Sequence, residues 1–170
     1  MKKTLSLLLL TLGLSLLTGN AKDFKFPEPD DVLFTITIPD AWAPKLADDG
    51  TLEAEDKEGH SYLAIWEEEN KTELAKIAGD IDEILSEYAT EVKLLNKPES
   101  YTLAGLTGLL FKGTAKDKED GSGIGFEAII LPVSKDRAAV IYFDYSQDAP
   151  KSVVNNLVKI LESFKPTPAP

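Results

Sequence analysis

Hydrophobic and polar positions alternate along much of this chain. In FTITIP, residues 34–39, Phe34, Ile36 and Ile38 fall on one side and Thr35 and Thr37 on the other. That period of two predicts a strand over 33–38. Pro39 cannot donate to a ladder and ends it, and Asp40 suits the turn that follows. Trp42, one of only two tryptophans, is then expected to fold back as an apolar plug over the sheet end. The alternative for Trp42 is an exposed ring in a binding groove. Further strands are predicted at 51–55 and 60–66. In the latter, His60, Tyr62, Ala64 and Trp66 share a face.

The period changes to 3.6 over 71–91, where Leu74, Ile77, Ala78, Ile81, Leu85 and Tyr88 form a helical stripe. Asn70 with Glu73 resembles a capping box. Gly79 inside that helix costs ~1 kcal/mol against alanine, and close packing against a neighbour is one compensation. Strands resume at 92–96 and 101–104. TGLLFKGTAKD (107–117) follows, then a turn with the hairpin signal Asp120-Gly121, then IGFEAIILPV (124–133). A second turn leads to AAVIYFDYS (138–146). These last two strands are apolar on both faces near their centres, which predicts central strands covered on both sides. The closing helix begins near Pro150, carries Val154, Leu157, Val158, Leu161 and Phe164, and stops before Pro166. Hairpin-linked strands with two flanking helices predict an α+β fold with a mainly antiparallel sheet. One domain is expected over 32–165, with 22–31 as a linker and 166–170 as a disordered, proline-rich tail.

The chain opens with MKKTLSLLLLTLGLSLLTGNAKD. Lys2 and Lys3, an apolar run from Leu5 to Leu17, and small residues at Gly19 and Ala21 have the plan of a secretory leader cleaved after Ala21. The apolar run is shorter than the ~20 residues that span a bilayer. Export to the periplasm or extracellular space is therefore expected, with no stable membrane insertion after cleavage. The chain has no cysteine. Disulfides, thiolate metal sites, cysteine nucleophiles and an acylated N-terminal cysteine are all excluded. A domain of this size can instead be stabilised by its core alone.

Charge narrows the partners. The net charge is −11, and loss of Lys2 and Lys3 with the leader takes it to −13. Nucleic-acid binding needs clustered cations, and none is visible; the one arginine is Arg137. Solubility accounts for such charge, and a basic partner is the sharper reading.

Candidate chemistry is sparse. His60 is the only histidine, so a histidine-based metal site lacks further ligands of its kind. Neither a G-x-S-x-G elbow nor an S-x-x-K motif occurs. GSGIG lies in a hairpin, not between a strand and a helix, so it does not predict a phosphate loop. Glu67, Glu68 and Glu69 read as a solvated loop. Asp117, Glu119 and Asp120 do not fit a calcium loop, whose glycine would fall at Ser122. No catalytic, metal or cofactor residue is singled out and no cofactor is expected. Two surfaces stand out. His60, Tyr62 and Trp66 form a possible ligand face. Asp80, Glu83, Glu87 and Glu91 line one side of the first helix at i, i+3, i+4 spacing, as a possible partner-docking stripe.

Three segments in order resemble the PsbP-like superfamily over about 130 residues: FTITIPDAW, LAGLTGLLFKG (103–113) and LVKILESFK (157–165). That group includes an extrinsic subunit of photosystem II, a Ran-binding import factor and DcrB-like bacterial envelope proteins; the chain looks most similar to the exported bacterial branch. The resemblance implies an α/β/α sandwich around an antiparallel sheet, and protein binding rather than catalysis. No functional motif of the group carries over residue by residue, and the missing cysteine sets the chain apart from its lipoprotein members. The expectation is an exported, soluble, non-enzymatic protein that binds another envelope protein in assembly or transport. A small-ligand binder with an aromatic pocket is the alternative, and a carboxylate-dependent hydrolase ranks third.

Overall fold

A computed structural model describes residues 20–28, 30–69, 79 and 81–167. Residues 1–19 of the expected leader, Pro29, the first part of the expected helix with its Asn70–Glu73 cap, Asp80 and the last three residues lie outside them. Eleven strands and two helices are described: β1 (Ala21–Glu28), β2 (Asp31–Pro39), β3 (Lys45–Leu46), β4 (Leu52–Glu55), β5 (Ser61–Glu69), α1 (Ile81–Tyr88), β6 (Ala89–Leu94), β7 (Glu99–Leu103), β8 (Leu106–Asp117), β9 (Gly123–Pro132), β10 (Arg137–Ser146), α2 (Lys151–Glu162) and β11 (Lys165–Pro166).

The large sheet has the order β3-β4-β5-β10-β9-β8-β6, and β7 pairs with the other half of the outer edge of β8. A small sheet, β1-β2-β11, completes the fold. All pairings are antiparallel.

The strand period decides which layer each side chain joins. Ala139, Ile141 and Phe143 of β10 point to a core shared with Phe34, Ile36 and Ile38 of β2 and Leu157, Ile160 and Leu161 of α2. Ala138, Val140 and Tyr142 point the other way, to a core closed by Ile81 and Leu85 of α1. The large sheet is thus covered on both faces, by α1 on one and by α2 with the small sheet on the other. The double-sided apolarity of β9 and β10 reflects their central place. The α+β, mainly antiparallel fold flanked by helices is the one the pattern predicts.

Trp42 is 2% exposed and belongs to the core of β2 and α2. It ends a single 3-10 turn, Asp40–Trp42, closed by a bond from Ala43 N to the Asp40 carbonyl at 3.0 Å. The turn folds the indole inward directly after Pro39, so Trp42 is a plug and not a groove wall. The turn is closed by the Asp40 main chain.

Four expectations are corrected. The stretch 22–31 is no linker: 22–28 is strand β1, paired with β2 from Ala21↔Pro39 to Glu28↔Asp31. Phe26 is buried there and stacks on Phe34 at 5.1 Å. Two prolines masked its alternation. Pro166 is not in a loose tail but pairs with Phe34 in β11. The stripe of α2 is rotated by one position: Val153 and Ile160 are buried, while Val154 and Val158 are exposed. Finally, α1 stops at Tyr88 and β6 begins at Ala89, three residues earlier than the period suggests. Gly79 is helical, and an added Cβ there would meet none of the described residues within 4 Å, so close packing against those residues does not account for the glycine.

Candidate functional site

Tyr62 on β5, Tyr142 on β10 and Tyr88 at the end of α1 meet where the helix crosses the large sheet. The Tyr88 ring stacks on Tyr142 at 4.8 Å and on Trp66 at 5.6 Å, and lies 6.0 Å from Tyr62. Burial pushes the phenol pKa of all three tyrosines up, so they stay neutral. They act as rings and as hydrogen-bond donors: the Tyr62 hydroxyl donates to Glu53 Oε1 at 2.8 Å, and that of Tyr142 to Asp144 Oδ2 at 2.8 Å.

Beside Tyr62 and Tyr88 opens a cleft of about 410 Å³ lined by Glu53 and Glu55 from β4, Glu87 from α1, Asp117 and Glu119 at the β8–β9 turn, and Asp144 from β10. Six carboxylates face two amines, Lys45 and Lys118, and both amines are engaged. Lys45 pairs with Glu53 at 2.9 Å, which holds the Glu53 carboxyl below its usual value. Lys118 Nζ donates to the Ser86 and Glu87 carbonyls at 3.0 and 3.2 Å. There it caps the negative end of the α1 dipole.

Asp144 is the unusual member. It is 7% exposed near the end of an apolar strand, and burial pushes its carboxyl up to about 6 against the Tyr142 hydroxyl and Tyr62 backbone bonds. Asp117 and Glu55 push in the same direction as burial.

A second cleft, about 440 Å³, lies on the far side of Tyr88, walled by Trp66, Ile84 and Thr51 with Asp49, Glu67, Glu68 and Glu87. Trp66 Nε1 donates to Glu68 at 3.1 Å. The three glutamates expected as a solvated loop instead continue β5. Glu67 takes both Nε and Nη2 of Arg137, the latter at 2.5 Å, and Arg137 Nη1 reaches Asp31 at 2.5 Å. The sole arginine therefore ties β10 and β5 to β2, and these bonds push its pKa up.

The expected ligand face is split. Tyr62 and Trp66 do share a face and pack against the α1 core. His60 precedes β5, and six residues of strand span ~20 Å, too far for one pocket with Trp66. His60 lines a smaller cavity of about 160 Å³, its Nδ1 3.7 Å from Asp56 and 3.8 Å from Glu58. The expected stripe is also broken. Glu83 and Glu87 are on α1, but Glu91 is in β6 at φ 50°, bonded to Lys116 at 2.6 Å. Asp80 lies outside the described residues. Glu53, Glu55, Asp117 and Asp144 come from three separate strands and form no local motif. The one hint was Asp144, a carboxylate inside AAVIYFDYS.

No protein-family model and no curated protein sequence matches the chain. Solved structures do. The Ran-binding protein Mog1p of Saccharomyces cerevisiae superposes with a TM-score of 0.55 at 13% identity, over 86% of this chain and 95% of Mog1p. PA94, a Pseudomonas aeruginosa protein of unknown function, gives 0.52 at 10% identity, over 86% and 99%. A protein from Bacteroides thetaiotaomicron gives 0.58 at 11% identity, over 86% of this chain. This chain spans about half the length of that protein, 48%. The fold is the PsbP-like fold of Mog1p. Among the described residues no helix is long and apolar enough to cross a membrane.

Proposed function

We propose that the chain is an exported, non-enzymatic binding protein whose acidic, tyrosine-floored cleft docks a basic surface of another envelope protein. The observation that carries the reading is the convergence of six carboxylates around Tyr62 and Tyr88. Aromatic faces beside carboxylates favour lysine and arginine side chains, and a field of one sign speeds the encounter with the opposite one. The net charge, the leader-like start and the likeness in fold to a Ran-binding protein support a binding role.

The test is site-specific photo-crosslinking in intact cells, with the photo-reactive residue at position 87 and a control at Val154 on the opposite face. One reproducible adduct from position 87, lost when Glu53 and Glu55 are changed to lysine, is the expected result. Equal labelling from both positions, or an adduct insensitive to the charge reversal, would overturn the reading. A second reading, a small-ligand binder, is favoured by the Trp66–Tyr88 stack that walls the 440 Å³ cleft. It requires tryptophan fluorescence to respond to a small cationic or aromatic compound.

A further inference from the structure

A different surface carries a charge of the opposite sign. β1 ends the small sheet and β3 ends the large one. Between these two terminal strands lies a groove of about 430 Å³, lined by Lys22, Phe24 and Lys25 of β1, Lys45 and Leu46 of β3, and Leu52. In a chain of net charge −11, Lys22 and Lys25 here stand beside one lining carboxylate, Asp23, which accepts a bond from the Thr37 hydroxyl at 2.6 Å; Lys45 is already paired with Glu53 at 2.9 Å. Lys22 Nζ lies over the Phe24 ring at 4.9 Å. Leu46 is 60% exposed, so the groove also offers an apolar contact.

The main-chain direction of β1 follows from its neighbours. Asp40 N donates to the Asn20 carbonyl at 2.9 Å. Thr37 N donates to Ser163 Oγ, and that hydroxyl lies 3.2 Å from the Thr37 carbonyl, so the Thr37 backbone faces away from β1. Asp23 is opposite Thr37, and Lys25 is opposite Thr35. In an antiparallel pair such residues point their own N–H and C=O outward. Asp23 and Lys25 thus present main-chain donors and acceptors at an edge that has no strand partner among the described residues, with the Lys22 and Lys25 side chains beside them.

We propose that this edge is a second docking site, which takes an extended acidic peptide segment of a partner protein by strand addition to β1. Main-chain bonds to Asp23 and Lys25 supply affinity, as in other strand additions. Lys22 and Phe24 lie on one face of β1 and Lys25 on the other, so an acidic side chain on either face of the added strand meets a lysine, and Phe24 and Leu46 offer an apolar contact. Lysines on an edge also discourage pairing with arbitrary strands. Here they narrow the choice to strands of opposite charge.

The probe is a blocked eight-residue peptide alternating glutamate and valine, titrated into the full chain by NMR with amide exchange as the second readout. Binding is expected to shift and protect the Asp23 and Lys25 amides, while those of Lys22 and Phe24 are already held by β2. An alternating peptide sets its glutamates against one of these lysines and its valines against the other, and one exposed ion pair is worth up to about fivefold, so Lys22→Glu with Lys25→Glu should weaken binding by about that factor. N-methylation of alternate peptide residues should weaken it at least tenfold. No binding, equal binding of the N-methylated peptide, or equal binding of a lysine–valine peptide would each overturn the proposal.

Discussion

Gly108→Ala separates two physical arguments by sign. Sequence alone says that glycine in a strand is a weakness, and that alanine should gain roughly 0.5–1 kcal/mol. The structure says the opposite. An ideal Cβ at Gly108 would lie 1.9 Å from the Ile130 carbonyl oxygen, 3.0 Å from its carbon and 3.2 Å from Leu131 Cα. Unstrained contacts sit at ~3.5–4.0 Å, so β8 and β9 would have to part by more than roughly 1 Å. β9 cannot retreat, because it lies between β8 and β10 with Ile129, Ile130 and Leu131 at most 1% exposed. Overpacking of that kind costs ~1–3 kcal/mol, and a lost ladder bond adds about 1 kcal/mol. Set against the entropic gain, the net destabilisation is about 2–3 kcal/mol. Equilibrium urea unfolding of the chain lacking residues 1–21, followed by tryptophan fluorescence, measures it, with an unchanged m-value as the check on two-state behaviour. A variant as stable as the parent would refute the close approach of the two strands.

Gly79→Ala should do the reverse and stabilise by about 1 kcal/mol in the same assay, because Gly79 is helical and its Cβ would meet none of the described residues. Ala104 and Gly105, at φ 50° and 85°, form a two-residue hairpin loop with both residues left-handed; Ala104→Asn should add ~0.5–1 kcal/mol to the urea-unfolding free energy, since asparagine tolerates that region. Arg137→Ala strands the carboxylate of Glu67, whose side chain is 9% exposed, and should cost about 1–3 kcal/mol by the same measurement. Asp144 has a raised folded-state pKa of about 6 against an ordinary 3.8. The native state therefore binds more protons than the unfolded one between those values, and ionised Asp144 costs stability as pH rises through the window. Asp144→Asn should consequently gain on the parent by roughly 1–3 kcal/mol between pH 4 and pH 7; a difference independent of pH would contradict the burial argument.

The parts of the fold that were legible are those where one local period decides the outcome. β8 alternates over most of its length, β9 and β10 are near-continuous apolar runs, and the three are joined by short turns, so their pairing follows from sequence. Phe24 and Phe26 alternate too, yet Pro27 and Pro29 obscure them, and β1 is held by contacts to β2 and to Phe34 that a local pattern does not contain. The boundary between α1 and β6 was lost for a related reason. Tyr88 fits the helical stripe and Val92 fits a strand, but the change at Ala89 is imposed by pairing with Asp117, across a bulge where Glu91 takes φ 50°. Val154 and Val158 continue an apolar stripe as well as Val153 and Ile160 do. Only the position of the sheet decides which pair is buried.

The acidic cleft was less legible than the fold because it depends on strand order, not on any motif. Glu53 and Glu55 are adjacent to Tyr62 only because β4 pairs with β5 in the register Glu55↔Tyr62 and Glu53↔Ala64. Asp144 joins them because β10 lies on the other side of β5, with Asp144↔Tyr62. Tyr62 thus has an acidic neighbour on each side, and a slip of one residue in either pairing would turn those carboxylates to the opposite face. Read with its position in the sheet, Tyr62 was the informative member of the expected ligand face, and the strand pairs around it convert three unremarkable acids into one negatively charged wall. Asp144 sits two residues after Tyr142 on the same face of β10, accepts the Tyr142 hydroxyl there and is buried. That couples the charge of the cleft to the packing of the central strand, so a partner that neutralises the wall also relieves the repulsion that Asp117 and Glu55 exert on Asp144.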